Sequence, residues 1–332
     1  MNRFEQLVID FANLAWGTPL LVVLIGGGLF FTFYMRFLPF RMLGHTFRIL
    51  RGKYDNAADA GHINHFQAVS TALASTIGMG NLSGVAVAIA TGGPGAMFWM
   101  WISALVGVTT KFMEVSLSVM FRGKDSEGNM QGGPMYYIQN GLGKKWKPMA
   151  IFFALMGMIG VSPFFQANQL TRVISDVALI PNGIENNFSS NLITGIFIAG
   201  LVALVVVGGI KRIGKVAGNL VPFMVLLYFL SVAYIMLVHY DRIIPAFILI
   251  FHDAFSADSV LGGALGSIII IGVRRASFSN EAGIGTSPMA HGETRTTEPI
   301  REGLSATIEP IADTIIVCTL TAPCHYCYRG LE

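Results

Sequence analysis

Residues 66–90, FQAVSTALASTIGMGNLSGVAVAIA, form an uncharged, mostly apolar run longer than the ~20 residues that a helix needs to cross a bilayer. Near its middle stand Gly78, Met79, Gly80 and Asn81, which a simple membrane anchor does not need. Hydrocarbon has no water to satisfy free backbone groups, so a helix weakened at mid-depth must face a protein cavity or a ligand. The stretch therefore predicts a solute or ion site halfway across a membrane.

The composition around it agrees. Of 332 residues, 53% are hydrophobic and 12% charged, about half the charged share of a soluble domain. The 38 glycines suit close helix packing in a bilayer. Cys318, Cys324 and Cys327 give no disulfide framework, and a net charge of +3 is too small to argue for nucleic acid. The expectation is an all-α, polytopic membrane protein of about eight spans: 17–35, 66–90, 94–121, 149–171, 191–210, 216–239, a glycine-interrupted 260–290, and 303–322. A shorter run, Ile243 to Phe255, holds Pro245 and His252 and reads as an interfacial or re-entrant helix.

Basic residues collect in alternate connections: Arg36 to Lys53, Arg122 to Lys147, Lys211 to Lys215, and Arg295 with Arg301. Cytoplasmic loops retain Lys and Arg, so the N-terminus is expected outside the cell. The first span is expected to be retained, because its positive charge follows it and no small-residue cleavage site appears.

Function is sought among the polar groups inside spans, where such groups are costly and usually face a cavity. The second span carries Thr71, Ser75, Thr76, Asn81 and Ser83; the fourth carries Ser162, Pro163, Gln166, Asn168 and Gln169. In the seventh, the apolar SIIIIGV is followed by Arg274, Arg275, Ser277, Phe278, Ser279, Asn280 and Glu281, and then Gly283-Ile284-Gly285-Thr286. Two interrupted helices in one chain point to a transporter built from inverted repeats, with its site where the repeats meet. A helix half that starts at a break offers N–H groups to a carboxylate, and one that stops there offers carbonyl oxygens to a small cation. A zwitterion with Na⁺ satisfies both. Glycines that merely let helices pack closely are the competing reading.

Residues 92–107, GGPGAMFWMWISALVG, resemble the signature of the alanine or glycine:cation symporter family, and GMGNLSGVA, QGGPMYYI, SNEAGIGTSPMAH and DTIIVCTLTA are similar to further blocks of that family in the same order. The resemblance covers residues up to Ala322. It implies a leucine-transporter-like inverted-repeat core preceded by one extra helix. It also implies sodium-coupled, or sometimes proton-coupled, uptake of alanine or glycine across the plasma (inner) membrane of a prokaryote, with no cofactor beyond sodium as coupling ion and no enzymatic activity. By the same resemblance Gly78, Gly80 and Asn81 sit at the substrate carboxylate, Phe278 packs on the substrate side chain beside Ser279 and Asn280, and Gln166 reaches into the pocket. Sodium is then held by Thr76, through its backbone carbonyl, by Asn81 and by Ser279.

Plainer roles stay open: an interhelical hydrogen bond for Gln166 and core packing for Phe278. Lys111 and Glu114, three residues apart on one helix face, are expected to form an internal ion pair. Arg274 and Arg275 are candidates for a gate closing on Glu281 or Asp313, or for a structural salt bridge. Phe98, Trp99 and Trp101 suit interfacial anchoring, and His62 and His65 are not read as metal ligands.

The chain departs from the family after Ala322, where PCHYCYRGLE breaks the apolar run. Codons exist for which dropping one base turns this tail into an apolar continuation. Residues 1–322 are accordingly expected to be a partial symporter domain and 323–332 a frameshifted tail, leaving the core incomplete and the chain poorly suited to transport. A membrane-embedded enzyme would need a nucleophile with a base, or metal ligands, at depth, and the spans hold no histidine apart from edge positions such as His239 and His291, while a channel would show a ring of like polar residues instead of two broken helices.

Overall fold

The computed structural model describes residues 3–161, 163–255 and 264–329, and they are almost entirely helical. The first helix, α1 (Glu5–Tyr34), is kinked beside Gly17 and loosened into a π-turn at Val22–Gly26. A short α2 (Leu43–Leu50) leads to α3 (His65–Thr76). Asn64 starts α3 through a capping box: its side chain accepts the Gln67 N–H at 2.8 Å, and the Gln67 side chain accepts the Asn64 N–H at 3.1 Å. After a break comes α4 (Met79–Gly92), then α5 (Ala96–Met120). Strands β1 (Gly123–Lys124) and β2 (Met130–Gln131) pair as a small antiparallel hairpin before α6 (Pro134–Leu142).

Next come α7 (Lys147–Gly160), α8 (Phe164–Ile174), α9 (Phe188–Val206) and α10 (Gly209–Val238). The run read as re-entrant forms α11 (Tyr240–Ala254), with Pro245 inside it. Its Asp253 carboxylate accepts the Gly95 N–H at 2.7 Å, placing negative charge at the start of α5, where the helix dipole favours it. Then follow α12 (Ala264–Asn280), α13 (Ser287–Gly292) and α14 (Pro299–Ala306). From α14 the chain continues through a π-helical stretch, Ile311–Cys318, into α15 (Thr319–Arg329).

Helix α5 is the hub, packed along α12 and α14. Val85 and Ala88 of α4, Met97 and Met100 of α5, Ile250 of α11 and Ala276 of α12 share one buried cluster. A second cluster joins Val69 and Leu73 of α3 to Val221 of α10. By contrast α9 and α10 bury little and leave apolar side chains such as Phe197 and Phe223 exposed, as lipid-facing helices do.

Among the described residues five helices are long and apolar enough to span a bilayer, or six if the bent pair α3 and α4 is one span, so the protein is a multi-pass membrane protein. The expected count of eight differs because two spans, besides the bent 66–90, are interrupted. Within 149–171 the chain divides into α7 and α8 at residues 161–163, next to Pro163, which has no N–H to continue a helix. The 260–290 span begins outside the described residues and is cut between Asn280 and Ser287. Ser162 and residues 330–332 also lie outside them.

Candidate functional site

The first break follows from Ile77, whose backbone turns extended after α3, and from Gly78, which restarts the chain as α4 at a 42° bend. The Gly78 N–H donates to the Asn81 side-chain oxygen at 2.9 Å, so Asn81 closes the turn that leads into its own helix. At the second break Glu281 (φ 55°), Gly283 (φ 85°) and Gly285 (φ 91°) all take the left-handed conformation, which is cheap for glycine and costly for glutamate. The Glu281 carboxylate is held by the Thr286 hydroxyl, and the Gly283 N–H donates to Glu114 Oε1 at 3.3 Å.

The two breaks meet. A Cβ added to Gly80 would lie 3.3 Å from the Ser279 Cα and 3.8 Å from the Phe278 ring. From α4 the Asn81 amide nitrogen crosses to Ser279 Oγ at 3.2 Å and to Asp313 at 2.8 Å from Oδ1 and 3.0 Å from its carbonyl oxygen. The Ser279 hydroxyl donates to Asp313 Oδ2 at 2.6 Å, and Thr314 Oγ1 donates to the same oxygen at 2.9 Å. Asn280 donates to Thr314 Oγ1 at 3.0 Å, while its own oxygen caps the Ala282 N–H. The Cys318 sulfur lies 3.4 Å from both Asn81 and Ser279. Asn81, Ser279, Asn280, Asp313, Thr314 and Cys318 are all buried.

The structure thus brings together Gly80, Asn81, Phe278, Ser279 and Asn280, with Gly78 and the buried Thr76 at the edge of the same turn. It does not bring Gln166 there: that residue is exposed on α8. Phe278 is half-exposed, which suits a pocket wall better than a sealed core. A cavity of about 400 Å³ opens beside both breaks, lined by Thr71, Ser75, Tyr136, Thr286, Ser287 and Glu293.

A second polar network lies next to it. Lys111 and Glu114 pair at 3.9 Å as expected, and Lys111 also reaches Glu309 at 3.3 Å. His291 bridges Glu302 and Glu309 at 2.5 Å each, and His65 bonds Glu302 as well. His62 pairs with Glu293 at 2.6 Å. Just past α5, Arg122 donates to the Thr294 and Thr296 carbonyls at 2.6 and 2.9 Å; burial lowers its pKa, against the pull of Glu302 and Glu293.

Sequence reasoning missed Asp313 as a member of the site. It offered Asp313 and Glu281 as alternative partners in a gate with Arg274 and Arg275, with a structural salt bridge as the other option; in the structure Arg274 donates to the Trp16 carbonyl at 2.9 Å, and both acids are held by uncharged side chains. Glu309 and Asp313, the two carboxylates of the apolar run 303–322, were the available signal.

Sequence comparison adds the wider context. A profile of the Sodium:alanine symporter family matches residues 1–330. The chain is 39% identical over 324 residues to the sodium/alanine symporter AgcS of Methanococcus maripaludis, covering 96% of this chain and 69% of that one. It is 36% identical over 326 residues to a Bacillus subtilis protein named "Probable sodium/glutamine symporter GlnT" (97% and 66% covered), and 37% identical over 320 residues to the amino-acid carrier protein AlsT of the same organism (96% and 66%). The chain spans about two thirds of the length of these relatives. With a profile over nearly its whole length and relatives at this identity, the chain belongs to the sodium:alanine symporter family, whose members are transporters and not enzymes.

Proposed function

We propose that this chain serves sodium-coupled symport of alanine or glycine into the cell, across the plasma membrane of a prokaryote, on a leucine-transporter-like scaffold of inverted repeats. The observation that carries the reading is the meeting of the two breaks, with Asn81 of one bonded to Ser279 of the other inside the helix packing. Helix ends at a break present N–H groups to a carboxylate on one side and oxygens to a cation on the other. In this reading Gly78, Gly80 and Asn81 receive the substrate carboxylate, Phe278 and Asn280 border its side chain, and Thr76, Asn81 and Ser279 face sodium. Gln166 enters only through the family resemblance, since α8 holds it away from the breaks.

The test is accumulation of radiolabelled alanine by the purified chain in proteoliposomes. An inward sodium gradient should drive uptake against the alanine gradient, and potassium should not replace sodium. Uptake indifferent to sodium rejects the coupling, and no uptake of any small neutral amino acid rejects transport by this chain in favour of the alternative, an inactive partial symporter domain. A second reading, another neutral substrate such as glutamine, is favoured by the similarity to GlnT and is separated by competition in the same assay.

A further inference from the structure

We propose that α2 binds lipid: its outer face, with Arg41 just ahead of it and Phe47, Arg48 and Arg51 on it, takes the headgroups of anionic phospholipids in the cytoplasmic leaflet. This goes beyond the symport reading and does not rest on it. The preceding span, α1, ends among exposed rings, Phe33, Tyr34 and Phe37, and rings with a polar tip such as tyrosine collect at the membrane–water boundary. There Arg36 and Phe37 take φ 50° and 59°, left-handed values that residues other than glycine adopt at a cost, and the helix ends sharply. A single turn, Leu38–Arg41, and then α2 follow, inside the connection that runs from Arg36 to Lys53. That connection is the first of the basic ones expected on the cytoplasmic side.

Helix α2 is fixed on one side and open on the other. Ile49 packs with Phe112 and Leu304, and the buried Thr46 hydroxyl donates to the Leu304 carbonyl at 3.1 Å. Gly44, Phe47, Arg48 and Arg51 recur at three- and four-residue steps, so they share the opposite face, and all four are exposed, Phe47 at 52%. Among the described residues no ion pair or side-chain hydrogen bond engages Arg36, Arg41, Arg48 or Arg51. A guanidinium grips phosphate oxygens through two parallel N–H bonds, and a cluster of basic side chains beside a span gathers anionic lipid. The exposed ring of Phe47 on the same face needs an apolar partner, which an acyl chain supplies and a free phosphate or a nucleic-acid backbone does not. Charge and ring together therefore select a lipid.

The test adds phosphatidylglycerol to the purified chain in neutral detergent, with phosphatidylcholine holding total lipid constant, and follows the unfolding midpoint, which a ligand of the folded state raises. Phosphatidylglycerol should raise the midpoint of the wild type, and inorganic phosphate should not. A basic side chain near an anionic lipid surface is worth about fivefold in affinity, so Arg41→Gln combined with Arg48→Gln and Arg51→Gln should need at least about tenfold more phosphatidylglycerol for half of the rise. Lys144→Gln combined with Lys145→Gln and Lys147→Gln removes as much charge from another basic connection and should keep the wild-type response. A wild type indifferent to phosphatidylglycerol, an arginine variant with the wild-type dependence, an equal loss in the lysine variant, or an equal rise with inorganic phosphate overturns the proposal. Should the arginine variant fail to fold, Phe47→Trp reports on the same face. After subtraction of the parent's signal, its emission should be quenched several-fold more by phosphatidylglycerol brominated on its acyl chains than by equally brominated phosphatidylcholine, and equal quenching overturns the proposal.

Discussion

Two buried polar networks balance charge in opposite ways: one joins α3, α5, α13 and α14, and the other joins α4, α12 and the Ile311–Cys318 stretch. Around His291 every carboxylate has a nitrogen partner: Glu302 meets His65 and His291, Glu309 meets His291 and Lys111, and Glu114 meets Lys111. Around Asp313 the partners are an amide and two hydroxyls. The first network also ties the segment after the second break to its neighbours, since Ser287 bonds Glu309 at 2.7 Å and Ile63, ahead of α3, bridges to Thr294. It has the character of a scaffold, in which each carboxylate is matched by a nitrogen. The second is built like a seat, in which uncharged groups alone hold the single carboxylate.

That contrast is broken most directly by removing one acid from each network. Glu302→Ala leaves His65 and His291 without their shared carboxylate, and breaking a buried pair from one side typically costs about 3–5 kcal/mol. The variant should therefore unfold at a much lower temperature in detergent and accumulate poorly in membranes. Asp313→Asn removes a charge that has no ionic partner and should unfold close to the wild type in sodium-free buffer. Equal destabilisation of the two variants would show that Asp313 is scaffold as well.

The next effect in size concerns Asn81, the bond between the first break and Asp313. A hydrogen bond to a charged group is worth about 1.5–3 kcal/mol, and 1.4 kcal/mol is a factor of ten. Asn81→Ala should raise the sodium concentration for half-maximal alanine uptake about tenfold or more, with a smaller loss of protein from the membrane. An unchanged sodium dependence removes Asn81 from the cation site.

Much of this arrangement was legible from residue order alone. The uncharged run around Gly78 and the Gly-Ile-Gly after Glu281 pointed to both breaks, because in each the paired glycines stand beside polar side chains at mid-span. The span count was harder to read. Hydropathy registers apolar length and not continuity, so the divisions at Pro163 and after Asn280 do not lower it. The role of Asp313 was hidden because its partners come from 34 residues before it, at Ser279, and 232 before it, at Asn81. Likewise the Glu302 and Glu309 pairs with His291 form only once α13 folds back on α14, and His65 joins them from α3.

A smaller effect is expected where the two breaks touch. The methyl of Gly80→Ala would stand 3.3 Å from the Ser279 Cα, so the breaks must part by a few tenths of an ångström. Overpacking of this kind typically costs about 1–3 kcal/mol, and the small shift needed here places it near the low end. Alanine is also the better helix former, which offsets part of the loss of stability. Uptake should fall about fivefold while the unfolding temperature barely moves; a variant with wild-type uptake would show that the contact between the breaks is incidental.

The smallest expected effect is on substrate choice, and it asks whether the pocket wall belongs to the seat or to the scaffold. Phe278 stands next to Ser279 in sequence, its ring lies beside Gly80, and it remains 44% exposed. A wall of this kind discriminates by size, at about 1–3 kcal/mol for each methylene of a hydrophobic pocket. A half-exposed ring is expected to act at the low end, near 1 kcal/mol, or about fivefold in competition. Phe278→Ala should therefore let leucine compete with radiolabelled alanine about fivefold better under a sodium gradient, with the sodium dependence itself unchanged. If the variant transports with the parent's ranking of competitors, Phe278 is packing only. If its sodium dependence moves together with its substrate ranking, the wall and the Asp313 seat are a single unit, and the division between them has to be redrawn.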